Sequence, residues 1–205
     1  DLHSFPTRRS SDLPVLMATA MAYEAGAFHG FAAFCALLGS LLIQIGTNYA
    51  NDYFDFVKGA DTAARTGPVR ATQAGLVTPA AMRRATVLVF GLACVPGAYL
   101  VWRAGWPILL VGLLSILFGV LYTGGPYPLG YLGLGEVFVL AFFGLVAVGG
   151  TYYVQALELN ADVIVAGFAP GLLSVAILAV NNLRDIDGDR AAGKRTLAAM
   201  WGRGF

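Results

Sequence analysis

The chain reads as an all-α, polytopic transmembrane helical bundle. Of its 205 residues, 58% are hydrophobic and only 12% charged, and the mean hydropathy is +0.70. A soluble domain of this length carries about 25% charged residues. The polar residues also fall in blocks between apolar runs rather than along helical faces, which is the pattern of membrane spans. Backbone groups inside hydrocarbon must be satisfied within their own segment, so isolated spans of this kind have to be helices.

Residues 1–13, DLHSFPTRRSSDL, are polar and aperiodic and lead abruptly into an apolar run. They lack the apolar stretch of a signal peptide. They are read as a non-native leader, and residues 14–205 as the N-terminal two-thirds of a single transmembrane domain. Six spans are expected, near 14–27, 31–49, 85–102, 106–122, 134–153 and 163–180. Most approach the roughly 20 residues needed to cross a bilayer.

Lys and Arg set the expected orientation. Lys58, Arg65, Arg70, Arg83, Arg84, Arg184, Arg190, Lys194, Arg195 and Arg203 fall on one face, and only Arg103 on the other. The positive-inside rule turns the first face to the cytoplasm and makes a multi-pass protein of the cell's inner (plasma) membrane the expectation. Trp102, Trp106, Tyr152 and Tyr153 lie near span ends, as interfacial aromatics do. Cys35 and Cys94 fall in apolar spans and read as small buried hydrophobes, not metal ligands. The formal net charge of +1 says nothing about partners, and no nucleic-acid partner is expected.

Two acidic clusters carry the chemistry. The first is Asn48, Asn51, Asp52 and Asp55, followed by Asp61. The second is Asn181, Asn182, Arg184, Asp185 and Asp189, followed by Lys194. An unpaired ion beside hydrocarbon costs several kcal/mol, so such carboxylates suggest a use. Asn51 and Asp55 are four apart, as are Asp185 and Asp189, so each pair shares a helical face. Asp187 lies on the far side of that wheel, toward Arg184 or solvent. Four spans separate the two clusters, and an even number returns the chain to the same side. The clusters can therefore face each other.

Oxygen-only ligation without His or Cys favours a hard cation, and Mg²⁺ if a phosphate partner is present. Lys58, Arg65 and Arg70 follow the first cluster and can hold phosphate oxygens. Gly193 allows Lys194 to turn back toward the second. A Mg²⁺–diphosphate cage at a membrane face suits prenyl transfer. A polyprenyl diphosphate has a tail that belongs in the lipid bilayer and a head that belongs at its interface. Cations neutralise the charge growing on the leaving diphosphate, and an apolar tunnel keeps water off the allylic cation.

The stretches LLIQIGTNYANDYFDFVKGAD, RTGPVRATQAGLVTP, YTGGPYPLGYLGLGE and NNLRDIDGDRAAGKRTLA resemble the UbiA superfamily of intramembrane prenyltransferases. The likeness runs from about residue 14 onward. GPVR and the last two stretches point to the branch acting on 1,4-dihydroxy-2-naphthoate in menaquinone synthesis. The resemblance implies nine helices, of which about six are present, and two Mg²⁺ ions bridging the diphosphate. Asn51 and Asp55 would hold one ion and Asp185 and Asp189 the other, with Asp52 and Asp61 in support. Arg70 and Lys194 would contact the diphosphate, Asn48, Asn181 and Arg184 would line the substrate site, and Tyr122 would stand at the mouth near the aromatic acceptor. The family's third Asp often follows four residues after Asp55, where this chain has Gly59; Asp61 would take that role by a different loop path. The expected reaction transfers a polyprenyl group to 1,4-dihydroxy-2-naphthoate, with loss of CO₂ and pyrophosphate. The nearest alternatives are another aromatic acceptor (4-hydroxybenzoate, homogentisate or haem), a CDP-alcohol phosphotransferase and a cation transporter. Two distant clusters argue against the phosphotransferase, and acids at span ends rather than mid-span argue against the transporter.

Overall fold

The computed structural model describes residues 12–60 and 69–202. Its elements are helices, with no strand among the described residues. They run α1 (Asp12–Glu24), α2 (Gly30–Val57), α3 (Pro79–Ala104), α4 (Trp106–Leu121), α5 (Gly135–Val139), α6 (Ala147–Ala156), α7 (Ala161–Arg184), α8 (Ile186–Ala191) and α9 (Leu197–Trp201). A π-helical segment, Leu140–Val146, joins α5 to α6 into one span. Four helices are long and apolar enough to cross a membrane: Gly30–Val57, Pro79–Ala104, Gly135–Ala156 and Ala161–Arg184. Trp106–Leu121 is a shorter apolar helix. The protein is a multi-pass membrane bundle, as the composition requires.

One boundary differs from expectation in a way that matters. The second span was expected to end near residue 49, yet α2 continues to Val57. At 1.5 Å per residue its 28 residues reach about 42 Å, beyond the roughly 30 Å hydrocarbon core. The first acidic cluster therefore forms the last turns of α2, standing out of the apolar layer. Lys58 caps the helix and Gly59 takes φ 67°, the left-handed stop that glycine adopts at low cost. The N-terminus is capped by His29, whose Nδ1 accepts from the Ala32 N–H at 3.2 Å.

Small residues set the close helix crossings. A methyl on Gly46 of α2 would lie 2.7 Å from the Phe90 ring of α3, so a larger residue there would have to displace that ring. A methyl on Gly144 would lie 2.6 Å from the Gly167 carbonyl oxygen and 3.0 Å from the Gly171 Cα. That places α7 backbone against the π-helical segment, a small-residue contact of the kind membrane helices use.

The sparsely charged face has its own explanation. Arg103, in the last turn of α3, donates from Nε to the Val154 carbonyl at 2.7 Å and from a terminal nitrogen to the Gln155 carbonyl at 3.0 Å. These are among the last carbonyls of α6, left without helical partners and at the negative end of its dipole. The one arginine of this face among the described residues is a helix cap.

Candidate active site

The parity argument is realised in space. Lys194 lies between the two acidic clusters, its Nζ 3.5 Å from Asp55 Oδ2 and 3.8 Å from Asp189 Oδ1. Asp55 is 2% exposed and Asp189 9%. Carboxylates in the last turns of a helix meet the negative end of its dipole, so Asp55 needs cationic company. Lys194 supplies it, and the Arg70 guanidinium stands 3.9 Å from the same Oδ2. Lys194 reaches the site because Gly193 turns at φ 72° and the Lys194 N–H returns to the Asp189 carbonyl at 2.8 Å.

Asp52 faces a different task. Its two oxygens accept from the backbone N–H groups of Ala71 and Thr72 at 3.0 and 3.2 Å. It is 7% exposed and ties the segment after α2 to the helix end. Arg70 precedes the pinned pair, so Asp52 brings it to Asp55. Asn51 accepts a hydrogen bond at Oδ1 from the Thr123 hydroxyl at 2.8 Å, which links α2 to the α4–α5 loop. Lys58, expected among the phosphate contacts, donates instead to the carbonyls of Thr123 at 2.6 Å and Gly125 at 3.1 Å. Burial lowers the Lys58 ammonium from the ordinary lysine range; nearby Asp55 opposes that shift and Lys194 adds to it.

In the second cluster Asp185 caps α7 and Asp189 sits in α8, still within a helical turn because the Asp189 N–H donates to the Asp185 carbonyl at 2.8 Å. Asp187 is exposed, as the wheel requires. Arg184 pairs with Asp185. Its Nε and a terminal nitrogen grip both oxygens of Asp185 at 2.8 Å each, a bidentate pair between sequence neighbours. Asp185 therefore meets Arg184, while Asp189 meets Lys194. Asn48 and Asn181 are half-buried on α2 and α7. Asn182 donates from Nδ2 to Glu136 Oε1 at 3.1 Å.

Tyr122 caps α4 and is half-buried. A methyl on Gly135 would lie 2.9 Å from its hydroxyl and one on Gly130 3.0 Å from its ring, so two glycines make its room. Asp61 lies outside the described residues.

Two residues escaped the sequence reading. Thr123 holds Asn51, and Tyr131 donates from its hydroxyl to Asp55 Oδ1 at 2.8 Å. Both belong to the α4–α5 loop, which parity returns to the charged side, and that was the available signal.

The donor set fits a hard cation in kind, being carboxylate and amide oxygens. Among the described residues, no three His, Cys, Asp or Glu side chains converge to hold a metal ion. Charge is the more telling test. Asp55 and Asp189 are matched by Arg70 and Lys194, so this part of the site is balanced. An arriving diphosphate would add negative charge that these four groups leave uncompensated. A divalent cation held by Asn51, Asp55, Asp185 and Asp189 would supply positive charge to make up the difference.

Fold and site together define a polytopic helical membrane protein with a buried, mixed-charge site at one end of its bundle. Residues 13–205 match the UbiA prenyltransferase family, and the chain belongs to it. It is 42% identical over 194 residues to the 1,4-dihydroxy-2-naphthoate octaprenyltransferase of Escherichia coli (strain K12), an alignment taking in 92% of this chain and 63% of that protein. It is 38% identical to the protein of the same description from Haemophilus influenzae (strain ATCC 51907 / DSM 11121 / KW20 / Rd), over 96% of this chain and 68% of the relative. The Mycobacterium tuberculosis (strain ATCC 25618 / H37Rv) protein of that description is 40% identical, over 92% and 64%. The chain thus spans less than two-thirds of the length of the first and third of these relatives.

Proposed function

We propose that the protein is a Mg²⁺-dependent prenyltransferase moving a polyprenyl group from polyprenyl diphosphate to 1,4-dihydroxy-2-naphthoate. The observation that carries this is the meeting of Asp55 and Asp189 at Lys194, at the charged end of an apolar bundle. The relatives named above supply the acceptor. Lys194 and Arg70 bind the diphosphate, the one as a point charge and the other as a fork. Asn51 and Asp55 would hold one Mg²⁺ and Asp185 and Asp189 the other, and their charge would favour departure of pyrophosphate. Asp52 keeps Arg70 at hand. The apolar helix faces receive the prenyl tail and exclude water from the allylic cation formed when the C1–O bond breaks. The electron-rich ring then bonds to C1 at the carbon bearing the carboxylate. CO₂ leaves with no proton to remove, so no general base is needed, and the product is the reduced form of a demethylmenaquinone. The charged end faces the cytoplasm, on the distribution of Lys and Arg.

The test uses membranes expressing the full-length protein, supplied with a polyprenyl diphosphate and Mg²⁺. 1,4-Dihydroxy-2-naphthoate and 4-hydroxybenzoate are offered side by side. Prenylated 1,4-naphthohydroquinone, read as its quinone after air oxidation, with CO₂ release and lost on chelation with EDTA, is the expected result. Product from 4-hydroxybenzoate alone would keep the chemistry and overturn the acceptor.

A further inference from the structure

Tyr131 stands where three segments meet. Its hydroxyl donates to Asp55 Oδ1 at 2.8 Å, while Lys194 and Arg70 face Oδ2 of the same carboxylate. Its ring carries two ammonium groups, Lys194 at 4.9 Å and Lys58 at 5.1 Å from the centroid. Both distances fall within cation–π range. Its carbonyl accepts from the Arg195 N–H at 2.9 Å, fastening the α4–α5 loop to the segment between α8 and α9. One side chain thus engages the buried carboxylate and offers its ring to two like charges that would otherwise repel. With Asp55 and Lys194, Tyr131 joins the α2 end, the second cluster's lysine and the α4–α5 loop.

We propose that Tyr131 is a positioning residue for the diphosphate site. By engaging Oδ1 of Asp55 it aims Oδ2 toward the substrate side, and by carrying Lys194 and Lys58 on its ring it presets the cationic wall. The inference rests on the function proposed above and separates two contributions, hydroxyl and ring. Tyr131→Phe removes the first, and Tyr131→Leu removes both.

The experiment uses the full-length protein in detergent with Mg²⁺. Turnover and KM are measured with polyprenyl diphosphate, binding with inorganic pyrophosphate by calorimetry, and thermal midpoints for all variants. Tyr131→Phe should lower kcat about tenfold or more, the scale of a lost hydrogen bond to a charged group, with pyrophosphate affinity within about threefold of wild type. Tyr131→Leu should lose kcat to at least the same degree and weaken pyrophosphate binding about tenfold. A purely structural role would lower the midpoint but leave kcat per folded molecule and the pyrophosphate Kd unchanged. Wild-type turnover in Tyr131→Phe overturns the inference, and so does wild-type pyrophosphate affinity in a folded Tyr131→Leu. A wild-type protein that neither transfers prenyl groups nor binds pyrophosphate overturns the proposed function, and this inference with it.

Discussion

Lys194 and Asp55 stand 139 positions apart in the chain and 3.5 Å apart in the fold. Their contact closes the two ends of the bundle's charged side onto one another, and Asp189 joins from the lysine's other flank at 3.8 Å. With side chains only 14%, 3% and 12% exposed, this is a largely desolvated triad. Removing its cation leaves Asp189 without the lysine it meets and Asp55 with only Arg70, in a poorly solvated site. Lys194→Met should therefore lower thermal stability by about 2 kcal/mol and abolish prenyl transfer. Melting the variant with and without Mg²⁺ checks the cause: added Mg²⁺ should recover stability more in the variant than in wild type.

Asp52 and Asp55 are three residues apart but should fail differently. Asp52 pins the Ala71 and Thr72 N–H groups, so Asp52→Ala frees the segment that carries Arg70. A carboxylate accepting backbone hydrogen bonds is worth about 1.5–3 kcal/mol. The expected outcome is a KM for polyprenyl diphosphate raised more than kcat is lowered, with faster proteolysis near residues 69–77. Equal kcat losses in Asp52→Ala and Asp55→Ala would give both the same role instead.

Asp187 and Asp189 offer a matched pair, one exposed and one buried. Asp189→Asn should reduce transfer by about a hundredfold or more, the order expected when a charge acting in the transition state is lost. Asp187→Asn should stay within about threefold of wild type. Steady-state rates of the two variants in the same membranes decide the point.

The crossing of α7 over the π-helical segment tolerates no side chain. Gly144→Ala would push a methyl to 2.6 Å from the Gly167 carbonyl oxygen, against rigid backbone. Overpacking of this kind costs roughly 1–3 kcal/mol. A thermal midpoint lowered by several degrees is expected, whereas Gly150→Ala, which meets nothing within 4 Å, should melt near wild type.

The legible part of this molecule was the part written in composition. Apolar runs betray membrane spans whatever their neighbours do, and counting spans brought Asp55 and Asp189 to one side before any distance was known. Boundaries were less legible: hydropathy ended the second apolar span near residue 49, while only the helical spacing of Asn51 and Asp55 carried the helix beyond it, as α2 runs to Val57. Partners that are backbone groups left no trace either. Nothing in the composition marks the Ala71 and Thr72 N–H groups that Asp52 holds, or the α6 carbonyls that Arg103 caps. The pairing of Arg184 with its neighbour Asp185 was not legible, because wheel angles ignore the break at Asp185, where α7 gives way to α8. Tyr131 sits in an aperiodic loop, where spacing carries no information about direction.

Everything above depends on the two acidic ends forming one site. The most direct measurement is the rate of prenyl transfer by full-length wild type, Asp55→Asn, Asp189→Asn and the double variant, at saturating Mg²⁺. Residues that act as a unit are not additive. Each single variant should lose about a hundredfold or more, and the double should be no slower than the worse single. Losses that multiply, or full activity in either single variant, would mean that the clusters work apart and that the contact through Lys194 is incidental.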